Sequence, residues 1–542
     1  MRRKSKNVLQ NRIIKFSIAV LCTFILLIGR LFWFQVIKSD EYKMAALKQR
    51  GKEVKLYPER GIIYDRNFIP LTNRDRVSTV YFTDESSLKE YLRNYNTYIK
   101  EKDKNNNRIK SIELEEEINE EELPKGAYVY DKTLRYDKNN LLSHVIGYIK
   151  KSENKGESGI EKVFDEILRN KKLNSIFFEV DNKKRIIPGG GYAVVKDKKS
   201  SFPNSVQLTI DYHIQKVVEN EMDSRKIKGA VIVADVETGE IVAMASRPNF
   251  DQDNVNAYFN KDNMELYNKA IQVSYPPGSL FKIVVLLSAL EEEPSIVNEI
   301  FYCKGYEKIN DVIIKCNKEE GHGYISLSEA FSKSCNSTFI QIGQRIGSEK
   351  IIDMAYKLGF GKKINIGLFE ETEGKLPSGK ELLGPSIGNI SIGQGKIEVT
   401  PLQVTNMMLT LANEGVNKKL SIIKGIVTED GYMVKEFKKD KEERIISHEN
   451  ARIVDDLMSK VVKTGTGRSM DLEDIGGACG KTGSAQAVLN GEKTIHGWFS
   501  GYFPEKNPKY VITVFAEEVY SGSMSAVPIF ENIAKEISQK NR

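Results

Sequence analysis

Beyond residue 37 this chain has no apolar run long enough to cross a bilayer, so at most one membrane span fits into its 542 residues. No acidic residue stands before Asp40, and no small-x-small site follows the N-terminal apolar run as a cleaved signal would require. A basic stripe interleaved with aromatics is missing, as is any nucleic-acid-binding motif. The net charge of +7 is modest at this length and both signs are interspersed, which excludes a nucleic-acid partner.

What is present at the N-terminus is the run Phe16 to Ile37, apolar apart from Arg30 and a few small or amide residues. Its 22 residues can span a hydrocarbon core of about 30 Å. Fourteen Leu, Ile, Val and Phe residues, at roughly 0.3–0.6 kcal/mol each, outweigh one arginine that costs about 3 kcal/mol at the centre and less near an end. Arg2, Arg3, Lys4, Lys6, Arg12 and Lys15 precede the run and place the N-terminus in the cytoplasm, with everything after the span outside. The expected division is a cytoplasmic tail (1–15), a transmembrane helix (16–37), an N-terminal domain (38–195) and a C-terminal domain (205–540). With 40% apolar residues the composition is that of globular protein, and the length exceeds a single core. The segments Lys102 to Asn107 and Glu113 to Glu122 read as solvated insertions, and Lys196 to Ser205 as a polar linker.

Three short motifs carry the chemistry: Ser279-Leu280-Phe281-Lys282, then Ser334-Cys335-Asn336, then Lys481-Thr482-Gly483-Ser484. Singly each is weak. S-x-x-K also occurs at Ser86/Lys89, Ser152/Lys155 and Ser421/Lys424, and K-T-G recurs at Lys463-Thr464-Gly465. Context chooses among them. Only Ser279 follows a turn, Tyr275-Pro276-Pro277-Gly278, and opens an apolar run, Leu280 to Leu290, that reads as a buried helix. At that N-terminus a serine gains from orphan N–H groups, and Lys282 lies three residues on along the same face as a partner for an otherwise poor nucleophile. Ala451, Val454, Met458, Val461 and Val462 mark one helix face that stops at the first K-T-G, whereas Lys481 leads into the edge of an antiparallel sheet with further strands at 498–502 and 510–516. Ala230 to Asp235 and Glu240 to Ala245 form a hairpin across Thr238-Gly239.

On these motifs the chain resembles a class B penicillin-binding protein, a membrane-anchored D,D-transpeptidase of bacterial cell-wall synthesis. The likeness extends to Arg60-Gly61-Ile62-Ile63-Tyr64-Asp65-Arg66-Asn67, Ser158-Gly159-Ile160-Glu161, Ser391-Ile392-Gly393-Gln394-Gly395 and Thr400-Pro401-Leu402-Gln403. It implies an α+β transpeptidase fold, a five-stranded antiparallel sheet flanked by helices, carried on a non-catalytic pedestal that the Arg60 and Glu161 segments brace. It also implies that Ser279 attacks the carbonyl between the terminal D-alanines of a peptidoglycan stem peptide, with Lys282 as base. Ser334 relays the proton, Asn336 holds the substrate and orients Lys282, and Lys481, Thr482 and Ser484 take the terminal carboxylate, Gly483 letting the substrate approach. The backbone N–H groups of Ser279 and Ser484 are the implied oxyanion donors. Acylation needs no cofactor, β-lactams inhibit, and a membrane glycosyltransferase that makes the glycan strand is the implied partner.

One feature departs from that pattern. Cys303, Cys316, His322 and Cys335 fall within 33 residues, and three cysteines with one histidine form a common structural zinc set. A Cys303–Cys316 disulfide with Cys335 free and buried fits the same residues outside the cytoplasm, and both readings stand at this point. Rival functions are a β-lactamase or β-lactam sensor, a scaffold for a glycan polymerase, and an α/β-hydrolase with its elbow at Gly384-Pro385-Ser386-Ile387-Gly388. The last would need a strand before that segment, which the sequence lacks.

Overall fold

The computed structural model describes residues 2–55, 60–82, 85–95, 110–114, 123–124, 127–169, 175–182, 187, 192–195, 204–259, 264–437, 441–489 and 492–540. The Lys102 to Asn107 run and most of Glu113 to Glu122 and of the 196–205 linker lie outside these residues. The chain divides into two compact units. One comprises 1–58, 76–132 and 171–201, and the other 59–75, 133–170 and 202–542. Parts of the 38–195 stretch therefore fall in both.

The first unit begins with a helix, Arg2–Phe32, that continues as a π-helical turn, Trp33–Ile37. Its segment Leu9–Ile37 is long and apolar enough to cross a membrane, and none of it is buried against protein. Hydrocarbon would cover such a surface. Two small antiparallel sheets follow. One has the order 110–114, 76–82, 127–133, and with the helix Glu85–Tyr95 it encloses a minor core of Val80, Phe82, Leu88, Tyr91 and Ile112.

The second unit is built on five antiparallel strands, β1 (Gly229–Asp235), β2 (Ile241–Arg247), β3 (Cys479–Leu489), β4 (Glu492–Phe503) and β5 (Tyr510–Ala516), in the order β2-β1-β5-β4-β3. Helices cover both faces because side chains alternate along a strand. From β1, Val231 and Val233 point to α1 (Tyr212–Ser224) and the last helix (Gly522–Lys540), in a core with Val218, Met222, Ile529 and Phe530. Ala230, Ile232 and Ala234 point the other way and share a core with the helices Lys282–Glu292 and Pro401–Ala412. Strands buried on both faces need no polar alternation, which is why β1 and β2 read as nearly continuous apolar runs. Each fully buried aliphatic side chain contributes about 1.5–3 kcal/mol.

A second sheet in this unit links distant parts of the chain. Ile63–Tyr64 runs parallel to Ser205–Leu208, which pairs antiparallel with Ile423–Val427. Beside it the two motif segments meet: buried Arg60 holds Glu161 at 2.8 Å and Asp165 at 2.9 Å, and Arg135 holds the other oxygen of Glu161 at 2.6 Å.

Candidate active site

The turn Tyr275-Pro276-Pro277-Gly278 is tied down before the nucleophile motif begins. Tyr275 exchanges both backbone hydrogen bonds with Val399, stacks on Phe515, and donates its hydroxyl to Glu517 at 2.6 Å, a carboxylate ion-paired with buried Lys269. Ser279 lies in a 3-10 turn, Gly278–Phe281, that runs into α2 (Lys282–Glu292). The α-helix therefore starts one turn later than the apolar run suggests, and Ser279 is half-buried at its mouth. Gly278 adopts a φ of 55°, and a Cβ there would come within 2.6 Å of the Ser484 carbonyl oxygen, so the nucleophile turn rests on the K-T-G-S strand. Gly483 serves the same contact. A Cβ on it would meet the Pro277 carbonyl oxygen at 2.9 Å and Leu280 at 3.2 Å, so its bareness admits the turn, where the sequence suggested room for substrate.

The second motif lies between α3 (Leu327–Ser332) and α4 (Asn336–Ile346). Ser334 takes a left-handed φ of 55°, a strained position for serine that aims its hydroxyl inward. Both lysines converge on it. Lys282 donates to the Ser334 carbonyl oxygen at 2.7 Å, to its Oγ at 3.2 Å and to Asn336 Oδ1 at 2.8 Å, and Lys481 donates to the same Oγ at 3.2 Å. Both are fully buried and neither has a carboxylate partner among the described residues; Phe339 and Phe331 lie under their ammoniums. Burial pushes Lys282 down to about 8, and burial followed by repulsion from Lys282 pushes Lys481 well below its ordinary range. Protonation of one amine opposes protonation of the other, so the pair can pass a proton through the hydroxyl between them.

Lys481, Thr482, Gly483 and Ser484 lie in edge strand β3, which among the described residues pairs only with β4 and so leaves its outer side open to an extended ligand. Ser484 Oγ accepts the N–H of Gly522 at 3.1 Å, and Thr482 Oγ1 stands 2.5 Å from Thr466 Oγ1. Thr466 escaped the sequence reading because it follows the first K-T-G copy, Lys463-Thr464-Gly465, which does stop a helix, α5 (His448–Lys463), but then folds back so that Thr466 N–H reaches the Ser332 carbonyl oxygen. Gly393 also went unassigned; its carbonyl oxygen accepts from Gly278 N–H at 2.9 Å.

Cys303, Cys316, His322 and Cys335 place their ligand atoms within 4.8 Å of one another. Cys303 Sγ to His322 Nδ1 is 3.5 Å, Cys316 Sγ to the same nitrogen 3.7 Å, and Cys316 Sγ to Cys335 Sγ 3.7 Å. Zn–S bonds of about 2.3 Å and Zn–N bonds of about 2.0 Å give a tetrahedron edges of about 3.5–3.8 Å, which these three separations match. All five cysteines are free, so the alternative Cys303–Cys316 bond is not formed. Two small hairpins build the cluster, 300–303 with 323–326 and 306–309 with 312–315. Asn336 Nδ2 donates to the Lys315 carbonyl oxygen at 3.1 Å, so one amide joins this loop to Lys282. At the rival hydrolase position, Ser386 opens a short helix, Ser386–Ile390, with a 3-10 turn before it in place of a strand.

A serine three residues before a buried lysine, a serine hydroxyl between two buried lysines and an open strand edge are the arrangement of a serine acyltransferase of the penicillin-recognising kind. Residues 229–535 match the family described as penicillin binding protein transpeptidase domain. Stage V sporulation protein D of Bacillus subtilis (strain 168) is 30% identical over 95% of this chain and 83% of its own. Peptidoglycan D,D-transpeptidase FtsI of Buchnera aphidicola subsp. Schizaphis graminum is 26% identical over 98% and 96%. Penicillin binding protein 3 of Mycobacterium tuberculosis, solved with aztreonam, superposes with a TM-score of 0.65 at 25% identity, covering 90% of this chain and 97% of that one. A chain from a peptidoglycan synthase complex reaches a TM-score of 0.71 over 97% of this chain and 98% of its own, at 24% identity. The chain belongs to the class B penicillin-binding proteins.

Proposed function

We propose that this protein is a peptidoglycan D,D-transpeptidase that cross-links stem peptides through an acyl-enzyme on Ser279 and that β-lactams inhibit. The observation that carries the reading is the convergence on the Ser334 hydroxyl of two buried lysines with no carboxylate partner among the described residues, beside a serine turn seated on an open strand edge. Lys282, three residues from Ser279 and partly deprotonated near pH 8, takes the Ser279 proton as the hydroxyl attacks the carbonyl between the terminal D-alanines. Ser334 hands a proton to the departing D-alanine nitrogen. Asn336 fixes Lys282, and Thr482, Ser484 and Lys481 bind the terminal carboxylate. The N–H groups of Ser279 and Ser484 stabilise the oxyanion, a contact worth about 3–4 kcal/mol in the barrier. An amine of a second stem then resolves the ester.

The span at the N-terminus anchors the enzyme with its N-terminus in the cytoplasm and its catalytic unit outside. A membrane glycosyltransferase that polymerises the glycan is the matching partner, since a similar chain comes from a complex that couples polymerization to crosslinking.

The test is mass spectrometry of the full-length protein in detergent after incubation with benzylpenicillin. A stable adduct on the peptide bearing Ser279 is expected. Label on Ser386, or rapid release of hydrolysed drug as a β-lactamase would give, would overturn the assignment.

We further infer that Cys303, Cys316, His322 and Cys335 hold a structural zinc. The ion would clamp the two hairpins to the Ser334-Cys335-Asn336 turn, and no step of acylation passes through it. Protein purified without chelator is expected to carry about one zinc per chain. Cys316→Ser should lose it together with several kcal/mol of stability, a fall in Tm of about 10 °C. Metal analysis that finds no zinc in the native protein rejects the site.

A further inference from the structure

We propose that the buried ion pair of Lys269 and Glu517 is a positioning device for acyl transfer, one that sets, through the Tyr275 hydroxyl, where the turn before Ser279 stands against the K-T-G-S strand. The inference rests on the transpeptidase reading above and adds to it residues that lie outside the three motifs.

The need for an outside hold follows from the sequence of the turn. Pro276 and Pro277 carry no N–H, so between Tyr275 and Gly278 the backbone has no donor of its own. Such a segment is fixed through its ends, its carbonyls and its side chains. At the ends, Tyr275 exchanges backbone bonds of 2.9 and 2.8 Å with Val399, and Gly278 N–H reaches the Gly393 carbonyl oxygen. Between the ends the holds come from the sheet. Trp498 Nε1 donates to the Pro276 carbonyl oxygen at 3.0 Å. The Tyr275 ring packs 4.0 Å from the centre of the Phe515 ring and meets His496 edge-on at 5.5 Å. In the register of β3 with β4, Trp498 stands opposite Gly483 and His496 opposite Ala485, so these side chains hold the turn level with Ser484.

Ring packing resists tilting and leaves a ring free to slide in its own plane. The hydroxyl bond fixes that remaining direction. Glu517 directly follows β5, and its N–H is bonded to the Lys228 carbonyl oxygen at 2.9 Å. One of its carboxylate oxygens accepts from Tyr275 at 2.6 Å and the other from Lys269, so two partners fix the rotation of the group. Lys269 is 2% exposed, and its own segment is held as well: its N–H donates to Ser246 Oγ at 3.0 Å, and Leu402 N–H to the Ala270 carbonyl oxygen at 3.0 Å. Burial, and then the neighbouring carboxylate, push the ionisation of Tyr275 far above its ordinary range, so it stays a donor. Apolar side chains of similar volume often replace a buried ion pair without loss of stability. What this pair supplies is direction.

Tyr275→Phe removes the hydroxyl alone. The full-length protein in detergent is acylated by benzylpenicillin over a range of concentrations, the adduct on Ser279 is followed by quenched-flow mass spectrometry, and melting is recorded beside it. The phenylalanine variant is expected to acylate about tenfold or more slowly, the scale of one charge-assisted hydrogen bond. Its half-saturating drug concentration is expected to stay within about twofold of native, because a misplaced nucleophile slows the reacting step and not binding. Lys269→Met with Glu517→Leu takes both charges out together and is expected to give a similar loss. Adding Tyr275→Phe to that pair should cost nothing more, as a single shared bond requires. Glu517→Gln in place of Glu517→Leu returns an acceptor and should recover most of the rate only where Tyr275 is present. Acylation of Tyr275→Phe within about twofold of native overturns the inference whatever its melting temperature, and needs no charge variant to fold. So does a loss carried by the half-saturating concentration, or losses that multiply in the triple variant. A native protein that forms no adduct on Ser279 fails the reading of the whole site instead, so the two failures are distinguishable.

Discussion

Lys282→Met lowers the rate of acylation by benzylpenicillin by about 10³-fold or more, and Ser279→Ala leaves no adduct at all. A general base contributes about 10²–10⁴-fold, and Lys282 sits toward the upper end because its loss also unmoors Ser334 and Asn336. Methionine keeps the length of the stem in a fully buried slot. It leaves the Ser334 carbonyl and Asn336 amide short of a donor, at about 1–3 kcal/mol for each group left unsatisfied. It also removes a charge that burial already disfavours, so the fold survives. Time-resolved mass spectrometry reads both rates. Labelling of Lys282→Met at the native rate would remove Lys282 from the chemistry and hand the base role to Lys481.

Gly393→Ala is expected to cost at least about 10²-fold in acylation although Gly393 lies outside the three motifs. Its φ is 68°, and an added Cβ would lie 2.1 Å from the Gly278 carbonyl oxygen and 2.6 Å from the Phe281 Cβ. The backbone of the nucleophile turn would have to move by roughly an ångström, a displacement that by itself costs about 10²-fold. Gly384→Ala is the matched comparison. Its φ of 66° carries the same backbone penalty of about 1–2 kcal/mol, but nothing lies within 4 Å of its Cβ position. Acylation and thermal melting of the two variants separate the terms. Equal acylation rates would show that the turn does not depend on Gly393.

Much of this was legible before any coordinates. The copies that local context selects, by a turn before Ser279 and strands around Lys481, are the ones the structure brings together around the Ser334 hydroxyl, and those same strands form the five-stranded sheet. What escaped depends on contacts between distant segments. Thr466 reads as the tail of a helix stop until its partner Thr482 is known. The role of Gly483 changed because its neighbours, Pro277 and Leu280, come from another element. The hairpins that gather the cysteines and His322 are too short and irregular to announce themselves by periodicity.

The small sheet that joins Ile63–Tyr64 to Ser205–Leu208 and then to Ile423–Val427 has a bearing on biosynthesis. Residues 59–75 are made early, yet the strands that flank them are made much later. The catalytic unit thus cannot mature in the order of synthesis, as successive domains often do. Its first-made strand waits, exposed, until most of the chain has been made, and a fragment cut at the family boundary of residue 229 would lack the strands, near residues 63 and 205, that complete this sheet.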